Sequence, residues 1–209
     1  MYELYDYFRS TASYRVRIAL AYKQCDYKTI PIHLLENGGE QHQSQYRTLN
    51  PQELVPTLRV DDHYLHQSLA ILEYLEETHP QPALLPKDPL LRAEIRGIAL
   101  SIACDIHPLN NLRVLQYLQQ NLNVTDAEKD VWYHHWLSKG LSAIETLLAK
   151  NPNRGNCCFG NTPTFADLCL IPQLYNAHRF AVPLEDYPTL LAIETHCLTL
   201  PAFIWAMPR

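Results

Sequence analysis

The sequence predicts an α/β N-terminal domain over residues 1–82, a linker over 83–89 and an all-helical C-terminal domain over 90–209. Three observations predict it. The first eighty residues alternate strand and helix signals. Pro80, Pro82, Pro86 and Pro89 then fall within ten residues, which is linker composition. Every long stretch after them has helical periodicity.

Taken in order, "MYELYDY" alternates Tyr2 and Leu4 with polar partners and reads as a short strand. "SYRVRIALAYK" sets Val16, Ala19, Leu20 and Lys23 at i, i+3, i+4 and i+7, an amphipathic helix with Arg15 and Arg17 off the apolar stripe. "DYKTIPI" reads as a second strand, and Pro31 makes it an edge. The stretch with Gly38-Gly39 and Asn50-Pro51 reads as a loop with room for one short helix. "VPTLRV", Asp61-Asp62 and "HYLH" form a hairpin. "SLAILEYLEET" follows as a helix, with Leu69, Leu72 and Leu75 inward, Glu73, Glu76 and Glu77 on the wet side, and Ser68 as N-cap. The order β-α-β then β-β-α gives a mixed sheet with helices on its faces.

Beyond the linker, Leu91, Ile95, Ile98, Ala99 and Ile102 share one helical face. "DVWYHHWLSKGLSAIETLLAK" is a second long helix, ended by Asn151-Pro152. "TPTFADLCLIPQLYNAHRF" is a third, with Thr164 and Asp167 at capping-box spacing.

The composition excludes several classes of function. Of 209 residues, 47% are hydrophobic and 19% charged, with a net charge of −5, so no basic excess points to nucleic acid. The N-terminus has neither the basic nor the apolar region of a signal peptide. No apolar run approaches the ~20 residues that cross a bilayer. Six cysteines without CxxC read as free thiols in a reducing cytoplasm. The ten histidines show no HExxH and no zinc-type spacing with cysteine, so no metal is expected. The His134-His135 pair reads as surface or core, because helical neighbours point in different directions.

Four local features can carry chemistry. Ser10-Thr11-Ala12-Ser13 stands between a strand and a helix, where unpaired N–H groups and the helix dipole stabilise an anion and a hydroxyl can lower a thiol pKa. The same residues serve equally as a plain N-cap. "LVPTL" puts Pro56 ahead of a strand: either an ordinary turn or a cis-proline turn whose preceding backbone, at Val55, pairs with an extended peptide. Gln67 and Ser68 open a helix, as a cap or as a carboxylate dock. Arg9, Arg113 and Arg179 are solvated groups or bidentate carboxylate ligands, and spacing alone does not bring them together.

Together these segments resemble the zeta class of cytosolic glutathione transferases. "FRSTASYRVRIAL" is similar to the class signature, usually Ser-Ser-Cys-Ser-x-Arg-Val-Arg-Ile, with Thr11 and Ala12 as departures. "LNPQELVPTL", "HQSLAILEYLEETHPQPALLP", "DIHPLNNLRVLQYL", "TFADLCLIPQ" and "NAHRF" resemble zeta segments in the same order, covering Tyr5 to about Phe203. The resemblance implies a thioredoxin-like N-terminal domain, an all-α C-terminal domain, a cytoplasmic homodimer and glutathione as cofactor. It implies that Ser10, with Thr11 beside it, faces the glutathione sulfur and that Val55 pairs with the cysteinyl backbone. Gln67 and Ser68 would hold the γ-glutamyl end and Gln41 the glycyl end, with His107 and Asn111 lining the same site.

The implied reaction is cis–trans isomerisation of a cis enediacid: thiolate adds to the double bond, the new single bond rotates, and elimination yields the trans isomer. Arg9, Arg113 and Arg179 would bind the carboxylates, with Ser10, Arg9 and Arg179 carrying the catalysis. Maleylacetoacetate is the implied substrate. Maleylpyruvate and general conjugation of electrophiles are the alternatives. Ala12 casts doubt only on reactions that need the usual cysteine, since glutathione brings its own thiol.

Overall fold

The computed structural model describes residues 1–209. In chain order the elements are β1 (Tyr2–Asp6), α1 (Thr11–Tyr22), β2 (Tyr27–Pro31), α2 (Ser44–Leu49), β3 (Thr57–Val60), β4 (His63–His66) and α3 (Ser68–Thr78). They continue with α4 (Pro89–Leu100), α5 (Leu112–Leu122), α6 (Asp126–Ala149), α7 (Phe165–Arg179), α8 (Pro188–Cys197) and α9 (Pro201–Ala206). Two compact units emerge. One joins Met1–Leu84 to Leu198–Arg209, and the other is Leu85–Cys197.

The first unit holds a mixed sheet of order β2-β1-β3-β4, with β1 and β2 parallel and β3 antiparallel to both β1 and β4. This is the β-α-β and hairpin arrangement expected, with β2 at the edge. Leu4 and Leu58 are cross-strand partners and both are fully buried. Because successive strand residues face opposite sides, Tyr5 turns the other way and packs on Tyr46 of α2 at 6.0 Å between ring centroids.

Helix α1 departs from the amphipathic reading. Thr11 and Ser13 through Leu20 are all buried, including Arg15 and Arg17. The reason is long-range pairing. Arg17 Nη1 reaches Asp6 of β1 at 2.7 Å, its Nε donates to the Ala206 carbonyl at 2.9 Å and its Nη2 donates to the Phe8 carbonyl at 3.0 Å. Arg15 Nη1 donates to Ser68 Oγ at 3.2 Å. Glu76, expected on the wet side of α3, is buried too. It accepts from Lys23 Nζ at 2.7 Å and from Leu84 N–H. A buried charge persists only when paired and hydrogen-bonded.

Helix α9 lies within the span expected for the helical domain but folds against α1 in the first unit. Besides the Arg17 bond, Tyr14 Oη donates to the Phe203 carbonyl at 3.2 Å.

The second unit is all helical. Asp88 caps α4 by accepting from Leu91 N–H, with Pro89 in the first turn. The α4 pattern runs on into a π-helical turn over Ser101–Ile106 that the sequence reading did not foresee. Pro108, lacking an N–H, follows it. Gly140 on α6 admits this turn, since a Cβ there would lie 2.4 Å from Ile106 Cδ1. Helix α6 begins earlier than expected, at a Thr125–Glu128 capping box. Helix α7 opens with the anticipated Thr164–Asp167 box, and Phe165 through Leu174 are all buried, so it forms the centre of this unit.

Candidate active site

The sheet topology gathers the N-terminal candidates. β1 and its parallel neighbour β2 end on the same side, β3 starts there, and β4, antiparallel to β3, ends there. Ser10 follows β1, Gln41 lies in the connection after β2, Val55 precedes β3, and Gln67-Ser68 follow β4. Tyr5 pairs with Thr57 and Thr57 with His66, so all these segments leave one end of the sheet.

Ser10 is the N-cap of α1, and its Oγ accepts from Ser13 N–H at 3.2 Å. The cap is thus present, and because the hydroxyl serves it as an acceptor, its own proton stays available to donate. Thr11, the first helical residue, is buried. Arg9 is exposed, with its guanidinium 5.0 Å from the Phe8 ring centroid.

Val55 is buried in a cluster with Tyr7 and Tyr46, and the Val55–Pro56 bond is cis. Regular pairing of β3 begins only at Thr57, which leaves the Val55 N–H and C=O outside the ladder. The turn is braced beneath: Tyr46 Oη donates to the Leu54 carbonyl at 2.6 Å and Asn50 Nδ2 to the same oxygen at 2.8 Å.

At α3 the cap is Gln67 rather than Ser68, and no side chain caps the helix. Gln67 holds φ at +68°, uncommon for a residue with a Cβ, and its Nε2 donates to Gln52 Oε1 at 2.8 Å. Ser68 is the first helical residue, its hydroxyl fixed by Arg15. The uncapped first turn presents N–H groups and a positive dipole end to a carboxylate.

Gln41 is buried, with Nε2 donating to the Leu34 carbonyl at 3.4 Å and lying 3.0 Å from His42 Nε2, while Oε1 has no partner. His42 Nδ1 in turn bonds Glu53, and that bond, helped by Arg47, holds the Glu53 carboxyl below the usual range. These groups differ in what they can take: the bare α3 terminus suits a carboxylate, the unpaired Val55 edge an extended peptide, and the orphaned Gln41 Oε1 a hydrogen-bond donor.

In the second unit, Asn111 caps α5, its Oδ1 accepting from Arg113 N–H at 3.1 Å, and its Nδ2 lies 3.4 Å from His107 Nε2. Arg113 and Arg179 are exposed. They are related through α6. Trp132 Nε1 donates to the Leu109 carbonyl at 2.8 Å and Asn110 Nδ2 donates to the Tyr133 carbonyl at 3.1 Å, which ties the His107–Asn111 turn to α6. One residue on, the same stretch of α6 grips Phe180, next to Arg179. Burial pushes the Tyr133 hydroxyl pKa upward, with the Arg179 charge acting the other way.

The densest set of metal-ligating side chains is Cys157, Asp167 and Cys197, all buried, with ligand atoms within 4.8 Å of one another. Asp167 already accepts from Cys158 N–H at 2.7 Å through Oδ1 and from Thr164 N–H and Oγ1, each at 2.8 Å, through Oδ2, so one oxygen fixes the preceding loop and the other closes the α7 capping box. Sequence reading missed Arg15, Tyr46 and Asn50, which hold the site from behind. The Asn50-Pro51 motif and the arginine within the signature were the available signals.

The glutathione S-transferase N-terminal domain model matches residues 4–83. A probable maleylacetoacetate isomerase of Vibrio cholerae is 49% identical over 206 residues, covering 99% of this chain and 95% of its own length. A holo maleylpyruvate isomerase, described as a bacterial glutathione S-transferase of the zeta class, superposes with TM-score 0.96 at 44% identity, covering 99% of this chain and 96% of that one. A maleylacetoacetate isomerase of Methylobacterium extorquens AM1, solved with malonate and glutathione bound, gives TM-score 0.95 at 37% identity, again covering 99% and 96%. With relatives this similar over nearly their whole lengths, the chain belongs to the zeta class of the glutathione S-transferase family.

Proposed function

We propose that the chain catalyses glutathione-dependent cis–trans isomerisation of maleylacetoacetate to fumarylacetoacetate. The observation that carries the proposal is the meeting of Ser10, Val55 and the uncapped α3 terminus at one end of the sheet, in a chain aligned end to end with such isomerases. Glutathione, when bound, supplies the thiolate that adds to the double bond and leaves after rotation. The residues of the chain hold and tune the reactants around that step.

The Ser10 hydroxyl, at the positive end of α1, donates toward the sulfur and favours the anion. Thr11 supports that turn. Val55 offers a peptide edge, Gln67 and Ser68 receive the γ-glutamyl carboxylate, and Gln41, His107 and Asn111 complete the glutathione contacts. Arg9, Arg113 and Arg179 bind the diacid as charge-assisted forks, and Arg9 and Arg179 also stabilise the developing enolate. The working form is a homodimer in the cytoplasm.

The test follows the loss of the cis enediacid by ultraviolet absorbance, with and without glutathione. Strict dependence on glutathione is expected. Turnover independent of glutathione overturns the proposal. Maleylpyruvate shares the cis-enediacid core, and kcat/KM for both substrates decides between them. Strong conjugation of a neutral aryl halide without isomerisation would instead favour a general transferase. Size-exclusion chromatography with light scattering tests the dimer, expected at twice 24.2 kDa.

A further inference from the structure

Arg179 ends α7, where a long side chain ordinarily samples many rotamers at an entropy cost to any ligand that fixes it. Its two chain neighbours are nevertheless pinned. His178 Nε2 lies 2.9 Å from Glu194 Oε2 on α8. Phe180 is gripped twice by adjacent residues of α6. Its ring stacks on Tyr133, with centroids 4.1 Å apart and planes 29° from parallel, and its carbonyl lies 3.0 Å from His134 Nε2. The Arg179 guanidinium lies 4.9 Å from the Phe180 ring centroid, within cation–π range. The turn beyond is closed by Ala181 at φ +51°, with Val182 N–H bonded to the Ala177 carbonyl at 3.0 Å. Tyr133 is buried and its hydroxyl has no hydrogen-bond partner, so the ring and not the hydroxyl maintains the stack.

We propose that Phe180, clamped by Tyr133 and His134, is a positioning residue that holds the Arg179 guanidinium ready for a substrate carboxylate. The proposal rests on the reading of Arg179 as a diacid ligand. A preset fork loses less freedom on binding, so the clamp acts on substrate affinity rather than on glutathione.

The test is steady-state kinetics and glutathione calorimetry on a small set of variants. Phe180→Leu keeps apolar volume but removes the stack, and raises KM for the diacid about fivefold, the size of a partly desolvated cation–π contact. Phe180→Tyr keeps the ring and stays near wild type. Glutathione Kd is unchanged in both. In an Arg179→Ala background, Phe180→Leu raises KM no further. If Phe180→Leu folds poorly, His134→Leu and His134→Gln serve instead: the first raises KM, and the second, which still donates to the carbonyl, does not. Tyr133→Phe leaves KM unchanged. A rise in KM there would assign the role to the hydroxyl and overturn the proposal. An equal Phe180→Leu effect with and without Arg179 would mark Phe180 as structural only. If Arg179→Ala raises KM and Phe180→Leu does not, the diacid reading stands and the positioning fails. If Arg179→Ala itself leaves KM unchanged, both fall.

Discussion

Arg15 of α1 donates to the hydroxyl of Ser68, the first residue of α3, at 3.2 Å, and both side chains are buried. The bond ties the second turn of α1 to the start of α3, the two helices at whose N-termini the glutathione sulfur and γ-glutamyl carboxylate are proposed to sit. Arg15→Met keeps the aliphatic stem but removes the donor. It is expected to cost about 2 kcal/mol, the value of a hydrogen bond to a charged group. Glutathione affinity should fall with it. Arg15→Lys should not restore either property, because one ammonium does not reproduce a planar fork. Denaturant unfolding and calorimetry read the two effects. Wild-type glutathione affinity in Arg15→Met would separate the bond from the site.

Ser10→Ala removes a cap and the proposed sulfur donor together. The cap alone is worth about 1 kcal/mol of stability. The kinetic effect is expected to be larger on kcat than on glutathione Kd, because the hydroxyl acts on the thiolate. The sign follows from the anion it stabilises: without the donor the bound thiol pKa rises, so the thiolate fraction at neutral pH falls. The ascending limb of kcat/KM should therefore move to higher pH. An unmoved limb would transfer the role to the helix terminus or to Thr11.

Lys23 and Glu76 form a buried pair at 2.7 Å, with Lys23 also donating to the carbonyls of His79 and Pro82. Removing one partner leaves an uncompensated charge. Lys23→Met or Glu76→Leu alone should cost about 3–5 kcal/mol, and the double variant clearly less than the sum. Additive losses in urea titrations would show that the two charges act independently.

Thiol chemistry gives an inexpensive check on the packing. Cys104 is exposed and Cys25 partly so, whereas Cys157, Cys158, Cys169 and Cys197 are buried. Burial pushes the Cys25 and Cys158 thiols up, and Cys197 is pushed up by its bond to Cys157 and by burial. A disulfide reagent should modify Cys104 quickly and Cys25 slowly, and reach all six only in denaturant. Rapid modification of four or more cysteines in the native protein would contradict this packing.

Legibility in the sequence followed the range of the interactions. Ser10, Val55-Pro56 and the Thr164–Asp167 cap were readable because each depends on residues a few positions away. Arg15, Arg17 and Glu76 are expected to face solvent, yet all three are buried. Periodicity treats every charge as wet, and their partners lie 53, 11 and 53 positions away. Ser68 looked like a cap, yet the helix starts at Ser68 itself because Gln67 takes a left-handed φ that residue type does not reveal. The π turn at Ser101–Ile106 was hidden because its apolar spacing continues that of α4.

The return of α9 to α1 also bears on how the chain reaches its fold. Tyr14–Phe203 and Arg17–Ala206 each close a span of 189 residues, so the first unit is discontinuous in sequence. During synthesis the sheet and α1 emerge first, but the Arg17 Nε donor and the buried face of α1 wait until the helical unit has been made. Contacts of such separation slow folding and couple early segments to late ones. A fragment ending at Leu84 is consequently not the first unit in isolation, for it leaves the α9-facing surface of α1 unmet.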